Sequence, residues 1–160
     1  MRKKVGVINL SGRAYLSDPC YDANLWCNGV IDVKSGRYKV YITYSKKTEY
    51  PIVTNLIIIH EEHYKRNFKL PINDTNLFCA VDSGQCGIFD FDYFINTREE
   101  CDEDWYLNNI VGDKDFKITD NDGVIVHSGY GDGFYPVFVE CDKDKLAYAI
   151  RINFVQSYEE

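Results

Sequence analysis

Three residues in the second half of the chain are of the types that catalyse acyl transfer: Ser83, Cys86 and His127. A serine or cysteine becomes a nucleophile when a neighbouring histidine takes its proton. Asp82-Ser83-Gly84 matches the tripeptide around the nucleophile of some serine proteases, but the same residues are common in turns. The Ser-Gly pair also occurs at Ser11-Gly12, and a backbone turn explains both copies. A hydrolase is therefore an alternative interpretation, and we predict no catalytic residue.

Two further segments contain potential metal ligands. His60-Glu61-Glu62-His63 is one residue shorter than the zinc-protease pattern, whose two histidines must stand at i and i+4 to share a helix face. Asp120-Asn121-Asp122-Gly123 resembles the start of a calcium loop, but the flanking helices and the later bidentate glutamate are missing. We interpret the first as a charged strand end at the surface and the second as a hairpin turn. We predict no metal site and no cofactor.

The segment Ser128–Pro136 is the clearest candidate for binding. Three glycines alternate with Tyr130 and Asp132 before a strand, so the backbone can bend tightly and approach a ligand closely. Asp132 is expected either to accept hydrogen bonds from backbone N–H groups and hold the loop in place or to face a ligand together with Tyr130.

A small anionic ligand would need cations and a stacking ring. Arginine pairs with phosphate, and tyrosine stacks on a base. Arg151 is a further candidate for the phosphate. The predicted ligand-binding residues are Arg13, Arg37, Asp82, Ser83, Tyr130, Asp132 and Tyr135.

Two phrases recur in the same order in each half of the chain. The matching segments are Ser11–Tyr21 with Ser83–Tyr93, and Gly36–Ile42 with Gly133–Val139. Self-similarity of this kind indicates a repeated architecture. We predict one domain over residues 1–160, with copies at 1–72 and 73–160 and a partly helical insertion near 94–120. The two Ser-Gly turns are expected to occupy equivalent places and to line a shared cleft.

Short apolar runs rich in Val, Ile and Tyr are typical of strands, and they dominate the chain. Helix is predicted only after Asp90, as far as Thr97, and over Glu99–Asn109. We expect a mainly β fold with minor helix, in which two β-rich halves form a sandwich or barrel-like body. The predicted strands are Lys4–Leu10, Ala14–Ser17, Gly29–Val33, Tyr38–Tyr44, Ile52–Ile59, Leu77–Val81, Gln85–Asp90, Phe116–Ile118, Val124–His127, Tyr135–Glu140 and Leu146–Phe154.

Charge and hydropathy exclude some classes of protein. A net charge of −7 argues against generic nucleic-acid binding, which needs a basic surface. The apolar run Val5–Leu10 is too short for a signal peptide, and no run reaches the roughly 20 residues that span a membrane. We therefore expect a cytoplasmic protein with no membrane association, whose six cysteines are free thiols.

Several motifs together resemble domain of unknown function 4241, a family of bacterial and phage proteins. In the second half they are Ala80–Asp90 and Ser128–Val137, and in the first half Ser11–Pro19 and Gly36–Val40. The residues after the first Asp-Pro pair and the acidic insertion depart from the family pattern. The resemblance implies a fold and an origin but no activity.

We expect a non-catalytic ligand- or protein-binding module, because aromatic-rich turns suit recognition. A narrower hypothesis is a phage or bacterial protein, small and acidic, that acts on host defence by sequestering a small nucleotide signal or by blocking a host protein. The alternatives are a hydrolase with Ser83 or Cys86 and His127, and a structural component of a virion. The sequence leaves open whether the protein is a monomer or a homo-oligomer.

Overall fold

The computed structural model describes residues 2–21, 29–45, 49–98, 107 and 115–155. Within these ranges, eleven strands form two antiparallel sheets that pack as a sandwich and do not close into a barrel. The mainly β fold with minor helix is thus confirmed. The strands are β1 (Arg2–Leu10), β2 (Arg13–Ser17), β3 (Val30–Asp32), β4 (Gly36–Tyr44), β5 (Val53–His60), β6 (Asn73–Val81), β7 (Gln85–Asp90), β8 (Phe116–Thr119), β9 (Gly123–His127), β10 (Gly133–Cys141) and β11 (Ala147–Asn153).

Helical structure is limited to short turns in the described part of the chain. A 3-10 turn, Glu61–His63, follows β5. A single α-helical turn, α1 (Phe91–Tyr93), follows β7 and continues into a π-helical turn, Phe94–Arg98. The helix predicted directly after Asp90 is therefore present, because the Asp90 side chain accepts the backbone N–H of Tyr93 and caps it.

The strand boundaries follow the sequence closely, with one larger difference. β6 begins at Asn73, four residues before the predicted start at Leu77. The sequence does not predict the earlier start because the first residues of β6 are polar and lack a strand pattern. Asn76 in this stretch has a φ of 62°, and the pairing with β10 shifts register nearby. An irregular edge strand of this kind has no periodic signal in the sequence.

The order of strands is nearly symmetric. The six-stranded sheet runs β1-β4-β5-β11-β10-β6, and the five-stranded sheet runs β3-β2-β7-β9-β8. The first order reads the same from both edges when β1, β4 and β5 are matched with β6, β10 and β11. In the second sheet β2 and β7 are adjacent and antiparallel, with Leu16 opposite Ile88. The two predicted copies would be related in this way by an approximate two-fold axis, and the duplication itself stays a prediction.

The main core lies between the sheets, and each outer face carries a smaller cluster. All six residues of β7 are buried, since both faces of this strand are covered. The turns after β7 cover Tyr15 and Phe89 on the five-stranded sheet. The segment after β5 covers Ile57 and Ile59 on the six-stranded sheet. The largest fully buried side chains are Tyr38, Phe89, Phe94, Phe154, Ile8, Leu16, Ile42, Leu56, Ile57, Ile58, Ile88 and Ile125.

The cysteines do not all behave as predicted. Cys79 in β6 and Cys86 in β7 form a disulfide, so the prediction of free thiols was wrong for this pair. The two strands belong to different sheets, and both side chains are fully buried between them. The sequence places these cysteines seven residues apart but does not show that the intervening turn brings the strands face to face. The disulfide links the two layers of the sandwich.

His60 also differs from its predicted place at the surface, since it is only 3% exposed. Its Nδ1 accepts a hydrogen bond from the backbone N–H of Glu62 at 3.1 Å. Its Nε2 therefore carries the proton and donates to the carbonyl of Ser35 at 3.0 Å. With both ring nitrogens bonded to the backbone, His60 caps the 3-10 turn and is not available as a metal ligand.

The hairpin between β8 and β9 is confirmed. The positive φ angles occur at Asp120 and Asn121, not at Gly123. Gly123 instead begins β9, where a Cβ atom would lie 2.5 Å from the Phe89 ring. The glycine is needed for close packing and not for the turn.

Some predictions fall outside the described residues. These are most of the helix over Glu99–Asn109, a large part of the insertion near 94–120, and the cysteines Cys27 and Cys101. In the part of the chain that the structure describes, no helix combines the length and the apolar character needed to cross a bilayer. The cytoplasmic location stays a prediction.

We predict that Gly36→Ala destabilises the fold more than Gly12→Ala. Both glycines have a φ of 141°, which strains any other residue. A Cβ atom at Gly12 meets nothing within 4 Å, whereas one at Gly36 collides with Nε2 of His60. Gly12→Ala should lower the free energy of unfolding by about 1–3 kcal/mol. Gly36→Ala should lower it by at least about 2 kcal/mol more, because the buried ring must lose a hydrogen bond. Equal losses in urea unfolding would contradict this account.

Candidate functional site

A buried aspartate organises one end of the sandwich. Asp18 follows β2 and is fully buried. Its carboxylate accepts the backbone N–H groups of Asp82 at 2.8 Å and Ser83 at 2.7 Å, and the Ser83 hydroxyl at 2.7 Å. A fourth hydrogen bond comes from the backbone of Cys20 at 2.9 Å. The Asp82–Gly84 turn is thereby fixed to the end of β2.

The other Ser-Gly turn is held in the reciprocal way. Asp90 at the end of β7 accepts both the backbone N–H and the hydroxyl of Ser11, each at 2.8 Å. Each predicted copy therefore supplies the aspartate that holds the turn of the other copy. Since β2 and β7 are antiparallel, Ser11 and Ser83 lie at opposite ends of the strand pair, roughly 20 Å apart at about 3.3 Å per residue. The expectation that both Ser-Gly turns line a shared cleft was wrong, because the antiparallel arrangement of β2 and β7 places the two turns at opposite ends of the strand pair.

The loop Ser128–Asp132 completes the end of the sandwich at Ser83. Asp132 accepts the backbone N–H of Gly84 at 3.1 Å, and the N–H of Ser128 donates to the carbonyl of Gly84 at 3.0 Å. The Ser128 hydroxyl closes the loop on the carbonyl of Gly131 at 2.6 Å. Asp132 thus holds the loop in place, the first of its two expected roles. We call Asp18, Asp82, Ser83 and the loop Ser128–Asp132 the Ser83 end.

Tyr135 supports this loop from below. Its ring is buried in the main core, and its hydroxyl donates to the carbonyl of Gly131, four residues earlier, at 2.8 Å. Tyr38 makes the matching contact in the first half, donating to the carbonyl of Lys34 at 2.6 Å. With its ring 2% exposed, Tyr135 does not present a face on which a base can stack.

Three aromatic side chains are exposed beside the Ser83 end, and we call them the aromatic patch: Phe78, Tyr130 and Phe134. Tyr130 is 67% exposed, Phe134 42% and Phe78 39%. The rings of Phe78 and Phe134 pack edge to face with centroids 5.3 Å apart. Pairing places Phe134 opposite Ala80, two residues from Asp82 and from Asp132, and Phe78 lies further along the strands opposite Pro136.

The carboxylates of the Ser83 end raise the pKa of the neighbouring Tyr21 phenol. The Tyr21 hydroxyl donates to the carboxylate of Asp82. This hydrogen bond, together with the negative charges of Asp82 and Asp18, raises the pKa of Tyr21 to about 12. Deprotonation of Tyr21 would place a third negative charge beside two carboxylates.

The predicted arginines do not join this site or each other. Arg13 forms an ion pair with Asp92 at 3.1 Å at the opposite end of β2. Arg37 is exposed on β4 and lines a separate cavity of about 300 Å³. Arg151 donates to the carbonyl of Pro71 at 2.9 Å on the outer face of the six-stranded sheet. Of the predicted residues, the structure brings together Asp82, Ser83, Tyr130, Asp132 and Tyr135.

Sequence reasoning missed a second cavity, of about 500 Å³, under the segment 61–72. The sequence predicts only a connection between the two copies over the stretch Glu61–Asn76. A usable signal was present, because apolar residues at Tyr64, Phe68 and Leu70 alternate with Lys65 and Lys69. Such alternation is typical of a segment that packs one side on a sheet.

No family model matches the chain, and neither a curated protein nor a solved structure is similar to it. The class that the fold defines is an antiparallel β-sandwich with capped Ser-Gly turns. The resemblance to domain of unknown function 4241 stays a prediction.

We predict that Asp18→Asn destabilises the fold strongly. The asparagine amide turns one acceptor oxygen into a donor that faces at least one backbone N–H group: that of Cys20 at Oδ1, or those of Asp82 and Ser83 at Oδ2. The free energy of unfolding should fall by about 2–4 kcal/mol. Asp132→Asn is the matched control, because Asp132 is exposed and accepts one backbone hydrogen bond, and it should cost less than about 1 kcal/mol. Urea unfolding with equal losses for both variants would show that Asp18 does not organise this end.

The Tyr21 phenol should titrate near pH 12, and Asp82→Asn should return its pKa towards 10. Because the folded pKa lies above the ordinary value, the Tyr21–Asp82 contact stabilises the fold fully below pH 10 and is lost as the pH rises towards 12. NMR of the tyrosine Cζ carbons, with Tyr21→Phe to assign the signal, measures the titration. A wild-type value near 10 would mean that the contact does not form in solution.

Proposed function

We propose that the chain is a non-catalytic binding module that recognises a partner protein through the aromatic patch beside the Ser83 end. The observation that carries this proposal is the group of exposed rings Phe78, Tyr130 and Phe134 next to the carboxylates of Asp82 and Asp132. Tyrosine and other aromatic side chains contribute much of the binding energy at protein interfaces.

The rings sit on a rigid support. Phe78 and Phe134 lie on paired strands, and Tyr130 lies in a loop whose ends are hydrogen bonded to Gly84. The adjacent sheets are linked by the Cys79–Cys86 disulfide. A surface that is already ordered loses little conformational entropy on association, which favours affinity.

Charge indicates the kind of partner. The carboxylates of Asp82 and Asp132 flank the rings, and the whole chain carries a net charge of −7. A basic partner surface would be steered towards this end, with an association rate that falls as salt is added. We therefore propose a partner with a basic surface that contains an apolar pocket.

The contacts of the nucleophile candidates favour binding over hydrolysis. The single hydroxyl proton of Ser83 is donated to Asp18, and the Ser83 backbone N–H donates to the same carboxylate. A catalytic serine instead donates to the base that will take its proton. Cys86 is held in a disulfide and is not a thiolate. A phage origin, an action on host defence and a virion role stay predictions that this proposal does not need.

The proposal is tested by capture from bacterial lysate with matched tyrosine substitutions. Tyr130→Asp removes a ring from the aromatic patch, and Tyr50→Asp makes the same change at a residue that is 78% exposed elsewhere. We expect specific proteins to be retained by the wild type and by Tyr50→Asp, and to be lost from Tyr130→Asp and Phe134→Asp. For an isolated partner, Tyr130→Asp should raise Kd at least tenfold, or about 1.4 kcal/mol.

The controls separate binding from folding. All three substitutions are at exposed positions, so the midpoint of thermal unfolding should stay within a few degrees of the wild type. Partner proteins should elute in about 0.5 M salt, because the association is charge-assisted. Retention of the same proteins by all variants, or of none by the wild type, would contradict the proposal.

A further inference from the structure

The segment 61–72, which we call the strap, crosses the outer face of the six-stranded sheet. It joins β5 to β6, and its residues Tyr64, Phe68 and Leu70 pack on the outward-facing residues of β5 and β11. Phe68 belongs to the cluster that the strap forms on Ile57, Ile59 and Ala149. Arg2 of β1 donates to the carbonyl of Phe68 at 2.7 Å and thereby fixes the middle of the strap.

A cavity of about 500 Å³ lies between the strap and the sheet, within the usual range for small-molecule sites. Ile59 and Ala149 form its apolar floor, and Phe68 closes one side. His63 and Tyr148 form a second wall, in which the two rings are stacked 3.9 Å apart at an interplanar angle of 12°. Flat aromatic walls on an apolar floor suit a planar ring.

Two carboxylates, those of Glu62 and Glu140, lie at the rim of the cavity. The carboxylate of Glu62 is paired with Lys34 at 2.6 Å. Glu140 accepts hydrogen bonds from the backbone of Ile72 at 3.1 Å and from Asn73 at 2.7 Å. Both carboxylates that line the cavity therefore already have partners.

The two lysines that line the cavity differ from the carboxylates in their contacts. The side chains of Lys65 and Lys69 have no hydrogen bond or ion pair within the ranges that the structure describes. Burial and the nearby Lys34 lower the pKa of His63, so the stacked wall is uncharged at neutral pH. Lys65 and Lys69 therefore place two positive charges on the strap side of the cavity, Glu62 is neutralised by Lys34, and Glu140 keeps its negative charge at the β10 side because its partners are neutral.

We propose that this cavity binds a small aromatic anion, a planar ring that carries a carboxylate or a phosphate. The ring packs against the His63–Tyr148 pair above Ile59 and Ala149, and the anionic group lies between Lys65 and Lys69. This site differs from the arginine site predicted from sequence. It is also independent of the aromatic patch, since Glu140 and Phe134 lie towards opposite ends of β10.

Four probes in two matched pairs test the proposal. Adenosine 5′-monophosphate is compared with adenosine, and indole-3-acetate with indole-3-acetamide, by NMR titration of the full chain. Within a pair the ring is the same and only the negative charge differs. We expect at least one anion to bind with Kd below about 1 mM and at least fivefold more tightly than its neutral counterpart, about 1 kcal/mol. Comparison of the pairs tells phosphate from carboxylate.

Two sets of substitutions locate the site. Lys65→Gln with Lys69→Gln should reduce the affinity for the anion to that for its neutral counterpart. Lys3→Gln with Lys4→Gln removes the same charge on β1, outside the cavity, and should change Kd less than twofold. Tyr148→Leu should weaken both members of a pair, because it removes the ring contact.

Three outcomes would overturn the proposal. The first is the absence of binding by all four probes at millimolar concentration. The second is equal affinity for the charged and neutral member of each pair. The third is binding that Lys65→Gln with Lys69→Gln leaves unchanged. The lysines are exposed, so this double variant should fold even if Tyr148→Leu does not.

Discussion

The hydrogen bonds to the carboxylates of Asp18 and Asp90 are the constraint on which the rest of the structure depends. A buried carboxylate without partners is strongly unfavourable, so its hydrogen bonds must be satisfied within the protein. At Asp18 they come from the turn that joins β6 to β7, and at Asp90 from the turn that joins β1 to β2. Each turn passes from one sheet to the other. The two aspartates therefore fix two of the four connections by which the described strands pass between the sheets.

These hydrogen bonds give a structural role to the motif that most resembles a catalytic site. Asp82-Ser83-Gly84 has the composition of a protease site, yet its serine and its backbone serve Asp18. The same role at Ser11 explains why the chain repeats a Ser-Gly pair followed by an aspartate. The spacing reflects a strand length, because the aspartate must lie at the far end of the strand that the turn begins. Repetition of the motif is better explained by architecture than by catalysis.

The strands could be predicted from sequence because alternation and β-branched residues are local signals. Strand pairing depends on residues that are far apart in the sequence, and the predictions that proved wrong all depend on such long-range pairing. The shared cleft depends on the register of β2 against β7, and the Cys79–Cys86 bond depends on how β6 and β7 face each other. The arginines were grouped by type, whereas the sheet order separates Arg13, Arg37 and Arg151. At the candidate site, the turn at Ser83 and the loop that contains Asp132 lie together, whereas the predicted arginines lie elsewhere.

The strap shows how a nearly symmetric scaffold can acquire a single pocket. The pairs β1/β6, β4/β10 and β5/β11 have equivalent places in the order of the six-stranded sheet. A segment that joins the two halves occurs once, and its path over β11 and β10 creates a wall that the symmetry does not repeat. Its residues Tyr64, Phe68 and Leu70 pack on the sheet, while Lys65 and Lys69 remain exposed at the rim. The connection required by the topology thus also supplies the two cations at the rim of the cavity.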